Sequence, residues 1–163
     1  MKRIWAPWRM EYITGSLRTE DSKCFLCIDG ADDEKALVVE RDRNAFIVMN
    51  RYPYSNGHLM VVPVRHVGSL EDLSDEELLG MMRLVRRAVS VLKKVMNAQG
   101  LNIGINMGKA AGAGLEEHIH IHIVPRWVGD TNFMPVFGET RVISEHLLET
   151  YGRLKEGFAE QIL

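Results

Sequence analysis

The sequence lacks the features that mark several large protein classes. Only two of its 163 residues are cysteine, too few for the disulfide framework of a small secreted scaffold. No apolar run reaches the length of about eighteen residues that spans a bilayer, so no membrane association is expected. The opening Met1-Lys2-Arg3-Ile4-Trp5-Ala6-Pro7-Trp8 has no apolar signal core, which makes the cytoplasm the expected compartment. Charge is nearly balanced, 20 basic against 22 acidic residues for a net −2, and this argues against nucleic acid as a partner. Repeats, low-complexity tracts and an obvious linker are all missing, and the length suits one domain with a real core. Its expected divisions are an N-terminal arm over 1–23, a core over 24–127 and an extension with a helix over 128–163.

What the chain does have is histidine in an unusual arrangement. His118-Ile119-His120-Ile121-His122-Ile123-Val124-Pro125-Arg126 alternates three imidazoles with three β-branched residues. In an extended strand successive side chains point to opposite faces, so the three imidazoles share one side and the isoleucines the other. A helix cannot do this. A row of neutral imidazoles suits metal, phosphate or proton handling better than a core.

Around that strand the pattern predicts α+β architecture. Ala36 to Arg41 and Ala45 to Asn50 read as strands joined over Asp42-Arg43-Asn44. The turn cluster Tyr52-Pro53-Tyr54-Ser55-Asn56-Gly57 leads into a third strand from His58 to Val62, stopped at Pro63. Ser74-x-x-Glu77 is a capping box for a long helix running to about Gln99, with Gly100 past its end. Leu78, Met82, Val85, Val89, Leu92 and Met96 form one apolar stripe; Met81, Leu84, Ala88, Val91 and Val95 form another. Either both stripes bury within one monomer, or one meets a second subunit. Arg83, Arg86, Arg87, Lys93 and Lys94 make the solvated side. Leu101 to Met107 is a fourth strand with Asn102, Gly104 and Asn106 on one face. Ser144 is expected to cap a final helix whose apolar side is Leu147, Leu148, Tyr151 and Leu154. With strands on both sides of a long helix and no repeated βαβ unit, the sheet is antiparallel with about five strands. The aromatic arm (Trp5, Pro7, Trp8, Met10, Tyr12) reads equally as an ordered terminus or as a segment packed on a partner subunit.

Two constellations carry chemistry. The loop Gly108-Lys109-Ala110-Ala111-Gly112-Ala113-Gly114 has the small residues that let backbone N–H groups approach an anion, directly upstream of the histidines. Cys24 and Cys27, spaced C-x-x-C, suggest metal or redox chemistry in a reducing compartment.

Asn106-x-Gly108, the small-residue loop, His118-x-His120-x-His122 with Val124-Pro125-Arg126, and Gly57-His58-Leu59-Met60-Val61-Val62-Pro63 with His66 together resemble the histidine triad nucleotide-binding superfamily. The ending Pro125-Arg126-Trp127 with Gly129-Asp130-x-Asn132-Phe133, and the Trp-Ala-Pro-Trp-Arg-Met opening, are similar to its bacterial branch that includes diadenosine tetraphosphate phosphorylases. The resemblance implies that His120 is the nucleophile on the α-phosphorus of an adenine nucleotide, with His122 and His58 orienting it and binding phosphate oxygens. Asn106 and the amides of Gly112, Ala113 and Gly114 would hold phosphate. Asn50 stands where the family usually has an acidic ribose ligand, and Gly114 or Leu115 where it has a hydroxyl residue. Arg126 and Arg9 are candidates for neutralising distal phosphates. Cys24, Cys27, His66 and His118 would form a structural zinc site, whereas His146 is left as surface. The implied activity is adenylyl transfer from a dinucleoside polyphosphate to inorganic phosphate as acceptor, the implied assembly a homodimer. A hydrolase of such nucleotides, and a non-catalytic nucleotide-binding protein, are the alternatives.

Overall fold

The structure, a computed structural model, describes residues 24–28, 30, 32–130 and 143–160. The expected aromatic arm, Arg9 and most of the irregular stretch after Trp127 lie outside them. A one-turn helix α1 (Asp33–Ala36), capped by the Asp32 carboxylate on the Glu34 N–H at 3.0 Å, precedes β1 (Val38–Arg41). Ala36, expected at the start of the strand, belongs instead to this turn, because the Asp32 cap and the acidic first residues favour helix there. Then follow β2 (Ala45–Met49), β3 (Leu59–Pro63), α2 (Asp75–Met96), β4 (Gly100–Ile105), a single 3-10 turn (Lys109–Ala111), β5 (Ile121–Arg126) and α3 (Leu147–Glu160). The five strands form one antiparallel sheet in the order β1-β2-β3-β5-β4, the α+β fold that the patterning predicts.

β2 and β3 are buried at every position, as central strands covered on both faces must be. Helix α2 packs on β2, β3 and β5, and α3 packs on α2 and β1. Ser74 and Glu77 make the reciprocal capping box at 3.2 and 2.9 Å. The far end comes three residues sooner than the sequence suggests. Asn97 adopts the left-handed conformation (φ 51°), and Ala98 N–H returns to Leu92 C=O at 3.3 Å, the role expected of Gly100. Of the two apolar stripes, Met81, Leu84, Ala88 and Val91 are buried, whereas Met82 of the other stripe is 53% exposed. Ile103 on the edge strand β4 is also exposed, so part of the apolar surface stays outside the monomer core. Among the described residues no helix is long and apolar enough to cross a membrane.

Helix α3 begins at Leu147 rather than after Ser144. His146 is its cap: its carbonyl accepts from Thr150 N–H at 3.1 Å and its Nδ1 from Leu148 N–H at 3.3 Å. The buried face is Thr150, Tyr151, Leu154, Gly157 and Phe158, while Leu148 is exposed. Gly157 sets how closely α3 approaches α2, since a Cβ there would lie 2.4 Å from Val95 Cγ2 and 3.3 Å from Val91 Cγ1. Both neighbours are stiff β-branched side chains. Gly157→Ala is therefore expected to lower unfolding free energy by about 1–2 kcal/mol, because overpacking outweighs the gain in helix propensity. A urea titration showing no loss would refute the close approach.

Candidate active site

Strand register collects the site on one face. Met60 and Gly104 lie on either side of His122 in the adjoining strands, and directly opposed residues share a face. His58, two residues before Met60, is on the same side; Asn106, two beyond Gly104, continues it. Asn50 lies beside His58, its N–H bonded to the His58 carbonyl at 3.0 Å. Gly104 has no side chain, which leaves that flank of His122 open. The ladder itself begins only at Ile121, so the extension expected to start at His118 becomes regular strand three residues later. Upstream, the segment is tied differently: Ile119 N–H donates to Val67 C=O at 2.7 Å. Alternation survives, with Ile119, Ile121 and Ile123 buried and the rings of His120 and His122 edge to face at 4.7 Å.

Hydrogen bonds assign the imidazole tautomers. His120 Nδ1–H donates to the His118 carbonyl at 2.9 Å, which leaves a lone pair on Nε2. Tyr54 N–H donates to His58 Nδ1 at 3.1 Å, so the other nitrogen of His58 carries the proton and donates to His122 Nδ1 at 3.0 Å. The proton of neutral His122 therefore sits on Nε2. The pair presents an acceptor, His120 Nε2, beside a donor, His122 Nε2–H. Burial lowers the pKa of His120. For His122 burial, aided by repulsion from His120, lowers it to about 4. Both rings are neutral at pH 7. One can attack an electrophilic phosphorus, and the other can hydrogen-bond an oxygen on it.

Tyr54, which the sequence reading passed over as part of a turn, is the residue that fixes this order. Its ring also tilts over His58 at 4.7 Å and His122 at 5.8 Å. A backbone N–H in a turn between Pro53 and Gly57 carries no sequence signal for such a task. Gly57 (φ +73°) makes room before His58, since a Cβ would fall 2.4 Å from Met96 Sδ.

Other expected contacts are partly committed elsewhere. Asn50 Oδ1 accepts from Tyr52 N–H at 2.8 Å, which leaves its amide hydrogens as donors. The Gly112 and Ala113 N–H groups bond Lys109 C=O and Gly108 C=O at 2.9 and 3.2 Å. These two amides close the loop's own turn, unlike the open cradle expected of them. Gly114 follows them, exposed, and Asn106 is half-buried. Arg126 makes a two-pronged pair with Asp130 at 2.6 and 2.8 Å and reaches Asn102 at 3.0 Å, an ion-pair role rather than a phosphate contact.

The second cluster is Cys24, Cys27, His66 and His118, whose ligand atoms all lie within 4.8 Å of one another. Cys24 Sγ and Cys27 Sγ are 3.4 and 3.7 Å from His118 Nδ1, and Cys27 Sγ is 3.2 Å from His66 Nδ1. A tetrahedral ion bonded at about 2.0–2.3 Å has edges of about 3.3–3.8 Å, close to these three thiol–imidazole distances. His118 Nε2–H donates to Pro63 C=O at 2.9 Å, so its Nδ1 is a lone pair aimed at the thiols, the usual outer support of a metal-binding imidazole. Burial, reinforced by the Cys27 thiol, pushes Cys24 up to about 11, and a cation is what would hold it as thiolate. The four side chains fit a metal ion.

The antiparallel sheet thus presents an imidazole lone pair and an imidazole donor side by side, a pair suited to nucleophilic attack on phosphorus. The HIT domain family matches residues 32–128, and the chain belongs to the HIT family. It is 40% identical over 168 residues to an AP-4-A phosphorylase of Mycobacterium tuberculosis, covering 99% of this chain and 86% of that one. It is 34% identical over 117 residues to the asymmetrical bis(5'-nucleosyl)-tetraphosphatase of Schizosaccharomyces pombe, 72% of this chain and 60% of that one. Among solved structures, a Zn-bound histidine triad family protein from Mycobacterium smegmatis superposes with TM-score 0.68 at 27% identity, covering 85% of this chain and 94% of that one.

Proposed function

We propose that the protein is a nucleotidyltransferase that splits diadenosine tetraphosphate with inorganic phosphate. His120 Nε2 attacks the α-phosphorus, forming a P–N bond as the P–O bond to the leaving group breaks and ATP departs. Phosphate oxygen then attacks the same phosphorus, the P–N bond breaks, and ADP leaves. The observation that carries the reading is the His120 Nδ1–H bond to the His118 carbonyl at 2.9 Å, which leaves the attacking nitrogen unprotonated. The 40% identity to a named phosphorylase across nearly the full chain supports phosphate as the acceptor. His122 Nε2–H hydrogen-bonds a non-bridging or leaving oxygen, and His58 holds His122. Asn50 donates to ribose, Asn106 to phosphate, and the Gly112, Ala113 and Gly114 loop closes on phosphate after exchanging its internal bonds.

Zinc is the ion that the Cys24, Cys27, His66 and His118 set suits, and four protein ligands give it a structural rather than a catalytic place. The exposed Met82, Leu79 and Ile103 support a homodimer that buries them. The single domain works on small adenine nucleotides in the cytoplasm.

The similarity to a tetraphosphatase supports a second reading, in which water resolves the intermediate. Product analysis decides between them. Phosphorolysis yields ADP with ATP and stops without added phosphate; AMP with ATP at a rate indifferent to phosphate would replace the transferase by a hydrolase.

Acid tolerance gives a further check. With its pKa lowered from 6.5 to about 4, His122 stays neutral until the pH nears that lower value and loses its acceptor nitrogen only below it. The His122 imidazole is thus expected to keep the spectrum of its neutral form well below the ordinary imidazole value and to titrate toward pH 4. A His122 midpoint at 6.5 in an imidazole 15N titration would overturn the assignment.

A further inference from the structure

Thr150 is 1% exposed, and its hydroxyl is not spent on its own helix alone. It lies 2.6 Å from Glu145 Oε2 and 3.0 Å from Asn56 Oδ1, and 3.3 Å from the His146 carbonyl. Asn56 Nδ2–H donates to the same Glu145 oxygen at 3.3 Å. The other oxygen of Glu145 takes Arg153 Nη1–H at 2.7 Å, and Arg153 Nη2–H caps the Val95 carbonyl of α2 at 2.8 Å. One small cluster therefore joins α3, α2 and the loop between Asn50 and His58. The Thr150 hydroxyl, first among its partners, holds the Glu145 carboxyl below the usual carboxylate range, so the cluster keeps its anion at neutral pH. A buried hydroxyl is costly unless bonded, and valine would fill the same space.

Elsewhere in that loop Asn50 N–H bonds His58 C=O, Tyr52 N–H bonds Asn50 Oδ1 and His58 N–H bonds Ser55 C=O, while the Arg51 guanidinium donates to the Lys35 carbonyl of α1. Asn56 is the side chain that ties it to the C-terminal helix, through Thr150 and Glu145. Two residues before Asn56 stands Tyr54, whose N–H sets the tautomer of His58 and, through it, of His122.

We propose that the Glu145–Thr150–Asn56 cluster is a positioning device through which the C-terminal helix holds the His58–His122 pair in its working tautomer. This rests on the reading of His120 and His122 as the reacting pair, and names what orders them from outside the sheet. Thr150, Glu145 and Asn56 are positioning residues; none touches an imidazole. A chain shortened before α3 would keep all three histidines and lose the order of two.

The test compares Thr150→Val, Thr150→Ser, Asn56→Ala and Lys155→Met in the full chain. Lys155 ties the same helix to β1, with Nζ donating to Val38 C=O at 3.1 Å, and does not touch the loop. Imidazole 15N spectra read the tautomers, and steady-state kinetics with diadenosine tetraphosphate read the chemistry. Thr150→Val and Asn56→Ala are expected to mix the His58 and His122 tautomers and lower kcat about tenfold with KM unchanged, the cost of a misplaced reacting group. Thr150→Ser restores both readouts. Lys155→Met melts earlier but keeps the wild-type spectrum and kcat. Wild-type imidazole spectra in both Thr150→Val and Asn56→Ala, or the same tautomer mixing in Lys155→Met, would overturn the proposal. Should Thr150→Val fail to fold, Asn56→Ala on the surface loop decides. Should the wild-type protein fail to turn over dinucleoside polyphosphates, the enzymatic reading falls, and the imidazole spectra still decide this one.

Discussion

Replacing His120 with asparagine is expected to lower kcat by about 10⁴-fold or more, the scale seen when a nucleophile is removed from a covalent mechanism, while nucleotide affinity stays near wild type. Asparagine is the informative choice. His120 is 8% exposed, so alanine would open a cavity and confound chemistry with packing. The asparagine amide can still donate to the His118 carbonyl that His120 Nδ1–H occupies at 2.9 Å, and it has no nitrogen lone pair to attack phosphorus. His122 Nε2–H and the phosphate-facing groups remain. Calorimetric titration with a non-hydrolysable adenine nucleotide reads binding, and radiolabel transfer reads the intermediate. Equal loss of binding and turnover would assign His120 to substrate recognition instead.

Stripping the metal is expected to have the largest effect on stability. The four ligand side chains come from the N-terminal segment, the loop after β3 and the segment before β5, and Cys24 and His118 are 94 residues apart in sequence. Closing so long a loop is entropically costly, and a bound ion would supply what offsets it. Chelation, or Cys27→Ala, should lower unfolding free energy by about 4–5 kcal/mol, much of the 5–15 kcal/mol that a domain of this kind holds. Direct metal analysis together with denaturant titrations before and after chelation checks this. A protein that carries no metal as purified and is indifferent to added zinc would leave the cluster as a thiol–imidazole contact only.

The sequence showed the parts of this molecule whose determinants are local. Alternation at 118–123 announced a histidine face, and Ser74 with Glu77 announced the start of α2, because a pleat and a capping box are written within a few residues. The end of α2 was misjudged, since Asn97 and Gly100 both accept a left-handed backbone and only packing decides which one does. The cap of α3 was misjudged for a related reason: Ser144 is the better cap by type, yet His146 is the residue whose carbonyl and ring meet the first helical amides. Tyr54 and Thr150 were invisible. Their importance lies in partners 4 and 94 residues away, and nothing about a tyrosine in a turn or a threonine in a helix points there. The Gly112 and Ala113 amides show a further limit of composition: small residues say nothing of the turn bonds to Lys109 and Gly108 that these amides make.

His118 answers to two masters. Its ring nitrogen Nδ1 faces the two thiols, its Nε2–H is tied to the end of β3, and its carbonyl holds His120. A substitution there would remove the imidazole from the thiol cluster and, by losing the Nε2–H tie to Pro63, loosen the backbone whose carbonyl holds His120. Anchor and nucleophile thus meet in one residue, the first at its ring and the second at its backbone carbonyl.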